Sequence, residues 1–126
     1  MKLSNLYTTD LHADGAECEI LDDQGKKTGL FITVMGVDSQ VFRDHAKKQQ
    51  KAYIEALRSK KEKDFDDEDM SIDGMVAATI SWRGTDEKFT PELCRELYTK
   101  APYVKDQVDQ FIAERANFIK AKPKKS

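Results

Sequence analysis

Two proline-marked junctions constrain this chain more than any other feature. At the first, Thr90-Pro91-Glu92 combines a hydroxyl that caps a helix, a proline at the first helical position where its missing N–H is no loss, and an acid facing the positive end of the helix dipole. At the second, Lys100-Ala101-Pro102 ends that helix and starts another. Leu93, Leu97 and Tyr98 mark the buried face of the first helix, with Phe89 placed to staple onto Leu93 or Cys94. Val104, Val108, Phe111, Ile112, Arg115 and Ile119 trace one stripe along the second. The stretch from Trp82 to Glu92 therefore reads as a fixed joint between helices.

Upstream, Ile72, Met75, Val76, Thr79 and Ile80 recur at helical spacing, so the joint is expected to follow a helix that ends at Trp82, weakened slightly by Gly74. The acidic run Asp64 to Asp69 precedes it and suits a helix N-terminus. As a calcium loop it fails, since Asp69 would fall at the glycine position and Met75 at the bidentate acid. A longer helix is expected from Val37-Asp38-Ser39 to about Lys63. Phe42, Ala46, Gln49, Tyr53 and Leu57 form its inner face, and Arg43, Lys47, Lys48, Lys51 and Arg58 lie among the residues of its solvated one.

Before that helix the periodicity shifts from helical spacing to alternation. Cys18 and Ile20 alternate with Glu17 and Glu19, and Leu30 to Met35 is rich in β-branched residues, which predicts a β-hairpin. Asp22 and Gly25 occupy the first and fourth places of a type I turn, followed by a solvated loop over Lys26, Lys27, Thr28 and Gly29. The expected organisation is a flexible arm over residues 1–16, one helix-rich α+β domain over 17–119 with the N-terminal hairpin and about four helices, and a disordered basic tail over 120–126.

Composition sets the function classes aside one by one. A chain of 126 residues fits one domain, and 39% apolar against 35% charged residues describes a solvated exterior over a modest core. A net charge of −2 gives no general pull toward nucleic acid or anionic membrane, and no apolar run reaches bilayer length. Cys18 and Cys94 read as buried thiols, His12 and His45 as core or solvated side chains outside any zinc spacing. Phosphate loops, nucleophile elbows and paired histidine-serine signatures are missing from the sequence. No enzyme activity, cofactor, metal, nucleic acid or membrane partner is expected.

With those residues assembled, the chain resembles the tail assembly chaperones of long-tailed, siphovirus-type bacteriophages of the HK97 type. One block runs from Leu21-Asp22-Asp23-Gln24-Gly25 through Thr28-Gly29, Ile32-Thr33-Val34 and Gly36-Val37-Asp38-Ser39. The more specific block comprises Trp82, Gly84, Phe89-Thr90-Pro91-Glu92, Leu97-Tyr98, Pro102, Gln107-Val108 and Phe111. The resemblance implies a protein that binds and solubilises the tape measure protein, recruits tail tube subunits, self-associates, works in the host cytoplasm and leaves before the virion matures. Contacts are then expected at the hairpin edge or around the joint, at Trp82, Arg83, Phe89, Tyr98 and Tyr103, although Trp82 alone reads first as a core residue whose N–H reaches a carbonyl. The alternatives are a head-to-tail connector or tail terminator retained in the virion and, further off, a small nucleic-acid-binding regulatory module.

Overall fold

The computed structural model describes residues 1–60 and 66–120, so Asp64 and Phe65 of the acidic run, the expected end of the long helix near Lys63, and the tail at 121–126 lie outside the described residues. After a 3-10 turn at Leu3–Leu6 come α1 (Thr9–Asp14), β1 (Ala16–Leu21), β2 (Lys27–Val34), α2 (Gln40–Arg58), α3 (Asp67–Ala78), β3 (Thr79–Arg83), α4 (Pro91–Lys100), α5 (Pro102–Ala113) and α6 (Ala116–Lys120). The class is the expected one, helix-rich α+β, with α3, α4 and α5 packed on one face of the sheet.

The sheet is antiparallel in the order β1-β2-β3. Alternation does what period-two sequences must: Ala16, Cys18, Ile20, Ile32 and Val34 are buried, while Glu17 and Glu19 face water. Against the inner face sit Ile72, Met75, Ala78, Cys94, Tyr98, Val104, Val108, Ile112 and Phe118, a single apolar layer between helices and sheet. The β1–β2 connection is shorter than expected. The Asp22 carboxylate accepts the backbone N–H groups of Gln24 and Lys26 at 2.8 and 2.9 Å, and its carbonyl accepts from Gly25. That closure lets β2 start at Lys27, and the Thr28 hydroxyl then donates to the Ile20 carbonyl at 2.7 Å.

The expected helix ending at Trp82 is corrected. It stops at Ala78, and Thr79–Arg83 joins the sheet as β3, with Ile32 opposite Trp82 and Thr33 opposite Ser81. Locally Thr79 breaks the helix by folding its hydroxyl back onto the Met75 carbonyl at 2.7 Å. Globally, β2 would otherwise leave a second edge with unpaired amides, and pairing outweighs a helical pattern read four residues too far.

Among the described residues six α-helices, two of them short, stand where four were expected. The last predicted helix divides at Glu114: the Asn117 side chain donates to the Phe111 carbonyl at 3.0 Å, and α6 turns Phe118 inward while leaving Ile119 48% exposed. Phe118 stacks on His12 with centroids 4.9 Å apart and meets Phe111 edge-on at 5.6 Å.

This contact also revises the arm expected over residues 1–16. Ala16 already belongs to β1, and His12 is fully buried. The crossover from β2 to α2 explains the anchoring, because its four consecutive backbone N–H groups find acceptors on three other elements, two of them on His12. Met35 donates to Ala78, Gly36 to the His12 carbonyl, Val37 to Ile112, and Asp38 to His12 Nδ1. Only Met1 to Tyr7 remain exposed throughout.

Candidate functional site

The Thr90-Pro91-Glu92 start forms as read. The Thr90 hydroxyl accepts the Leu93 N–H at 3.0 Å, Pro91 opens α4 and Glu92 lies in its first turn. Trp82 donates its indole N–H to the Glu87 carbonyl at 2.8 Å, and Phe89 meets the indole edge-on at 5.1 Å. These two contacts fold the 84–89 loop against the end of β3. Gly84 makes the bend with φ +96°, and its α-carbon approaches the Gly29 carbonyl too closely for any side chain.

The result is an open groove of about 280 Å³ between the sheet and α4. Leu30, Trp82, Leu93, Leu97 and Ala101 supply apolar walls, while Thr85, Glu87, Glu96 and Lys100 form a polar lining. Lys100 is held by Glu96 at 2.9 Å, one turn away on α4. Such a surface suits an apolar side chain with a polar or basic neighbour and carries no arrangement of nucleophile and base.

The five expected contact residues separate. Trp82 lines the groove and Phe89 props it. Arg83 points to the opposite, solvent face of the sheet, where it forks onto Glu17 at 2.7 and 3.0 Å and lies 4.1 Å over the Phe31 ring. Its guanidinium holds the Glu17 carboxyl below the usual carboxylate range. Tyr98 is corrected from contact residue to core: it is 1% exposed, and its hydroxyl pairs with Thr79 Oγ1 at 2.8 Å. Tyr103, 43% exposed, begins α5 beside Ala101 but outside the groove lining.

A second surface corrects the reading of the long helix. α2 meets α3 through Phe42, His45, Ala46 and Gln49, with His45 Nε2 3.3 Å from the Met70 carbonyl and its ring against Gly74. Gly74 is thus the price of a close helix crossing. No residue of α2 is buried, and Tyr53, Ile54 and Leu57, the first and last of which were expected inside, are 46%, 42% and 46% exposed. The apolar stripe is real, but too little of the domain is available to cover it. Spacing alone showed the stripe; Ile54 had no signal marking it as surface, nor Leu30 any marking it as a half-buried wall of the groove.

Elsewhere the polar chemistry is structural. Arg115 forks onto Asp38 at 2.7 and 3.0 Å and depresses its carboxyl, tying α6 to the start of α2. Arg95 on α4 reaches both Asp69 and Asp73 on α3. Among the described residues no three His, Cys, Asp or Glu side chains gather as a metal set, and no helix is long and apolar enough to cross a membrane. No family model, curated protein or solved structure matches the chain.

Proposed function

We propose that this protein is a non-enzymatic assembly chaperone for the tails of long-tailed phages, acting in the host cytoplasm on the tape measure protein and recruiting tail tube subunits before leaving the particle. The observation that carries the reading is the uncovered stripe of α2, where Ile54 and Leu57 face water on a helix with no buried residue. A folded monomer hides such surface unless something else covers it. A long helical client offers apolar stripes of its own, and helix-on-helix contact of this kind is shallow, repeated and reversible. Lys47, Lys48, Lys51 and Arg58 beside the stripe keep the covered client dispersed.

Co-expression with the tape measure protein tests this directly. The wild-type chain should bring that protein into the soluble fraction, and the Ile54→Asp, Leu57→Asp double variant should lose the effect while keeping its circular dichroism and melting temperature. A tape measure protein equally insoluble with and without the wild-type chain would refute the role. Purified virions analysed by mass spectrometry should lack the chain.

A further inference from the structure

Among the described residues, the most exposed large apolar side chains are not on α2. Met1, Leu3, Leu6 and Tyr7 are 92%, 68%, 61% and 70% exposed, clustered within one short segment that opens with a 3-10 turn. None of them lines the groove of their own chain. The segment leads into α1, whose His12 is tied to Gly36 just beyond the Val34 end of β2, whereas the groove begins at Leu30. Four strand residues separate those ends, about 13 Å at strand rise. A free apolar segment and an apolar groove thus sit toward different ends of β2.

We propose that the segment Met1–Tyr7 of one copy seats in the groove between the sheet and α4 of a second copy. Leu3 and Leu6 would lie against Trp82, Leu93 and Leu97, removing from water the side chains that each surface now exposes. Charge agrees with this occupant. Lys2 is the only charged residue before Asp10, and the groove lining carries Glu87, which has no ion pair among the described residues, as well as the Glu96–Lys100 pair. Because donor and acceptor patches differ, the contact is head-to-tail and propagates into a closed ring or an open chain. This inference concerns self-association and does not depend on the chaperone reading.

Trp82 is the only tryptophan, so its emission reports the groove without a label. Full-length protein should associate with rising concentration in sedimentation velocity, and its Trp82 emission should shift to the blue in parallel. Each of Leu3→Asp and Leu6→Asp should weaken association by about tenfold or more. The double variant should be monomeric with red-shifted emission and unchanged circular dichroism. A synthetic peptide of residues 1–8 should restore the blue shift to that variant saturably, and the same peptide carrying both aspartates should not. Lys2→Glu should weaken association and Glu87→Lys in the same chain should recover it. A double variant that sediments like wild type, a peptide that leaves Trp82 unmoved, or a wild-type chain that stays monomeric and shifts its emission only with tape measure protein would each overturn the proposal.

Discussion

The buried pair of Thr79 and Tyr98 offers a stringent test of how β3 is held to α4. Thr79 is 7% exposed and Tyr98 1%. The threonine hydroxyl donates to the Met75 carbonyl at 2.7 Å, so at 2.8 Å the phenol is the donor to Thr79 Oγ1. Tyr98→Phe removes that donor but leaves the threonine proton engaged, and should cost about 1 kcal/mol, the net worth of one neutral hydrogen bond. Thr79→Val keeps the shape but strands the phenol O–H and the Met75 carbonyl in the core. Its expected cost is about 2 to 3 kcal/mol, because an orphaned buried group loses its full hydration. The Cys94 thiol beside both hydroxyls is too weak an acceptor to replace the lost partner. The double variant strands no phenol and should cost less than the sum of the singles by about 1 kcal/mol or more. Equilibrium urea unfolding, followed by circular dichroism, measures all three differences. Equal costs for the two singles, or strict additivity, would show that the hydroxyls are not coupled and that the account of β3 is wrong.

Alkaline pH supplies a second test, since burial pushes the Cys18 thiol up to about 11 and raises Cys94 and Tyr98 as well. The folded state favours their protonated forms, so their contribution is full below the ordinary thiol value of 9.0 and should erode as pH rises through 9 toward 11; a melting temperature flat across that window would contradict the burial. Gln107 closes the end of β1 by accepting the Leu21 N–H at 2.9 Å and donating to the Leu21 carbonyl at 2.8 Å. Gln107→Ala should cost about 1 kcal/mol and speed hydrogen exchange at the Leu21 amide, with unchanged exchange counting against the clamp. Gly84→Ala, forced into φ +96° and against the Gly29 carbonyl, should lose about 1–3 kcal/mol in thermal unfolding, and an unchanged melting temperature would refute the tight bend.

Much of the fold was legible because its signals are short-range. The cap at Thr90, the proline starts at Pro91 and Pro102, the start of α2 after Val37-Asp38-Ser39, where the Ser39 hydroxyl accepts the Phe42 N–H at 3.2 Å, and the Asp22 turn depend on atoms a few residues apart, and each forms as its local chemistry requires. Alternation over Glu17 to Ile20 likewise assigned Cys18 and Ile20 to the inner face of β1, while Ala16 was expected in the arm. The candidate groove was only half legible: Trp82 and Phe89 announced themselves by size, whereas Leu30 joined them through strand pairing and Tyr98 withdrew into the core.

By itself, then, the chain's order of residues determined where α2, α4 and α5 start, which strand face is greasy and that one mixed domain forms, since those follow from neighbours along the backbone. Only the tertiary structure decided that Thr79–Arg83 would be a strand, that His12 would bind the N-terminal helix to Phe118, and that the Tyr53-to-Leu57 stripe would stay in water. Those outcomes turn on which surfaces meet across the fold: an open sheet edge recruits a segment of helical spacing, and a long amphipathic helix outruns α3, the helix that covers most of its inner face.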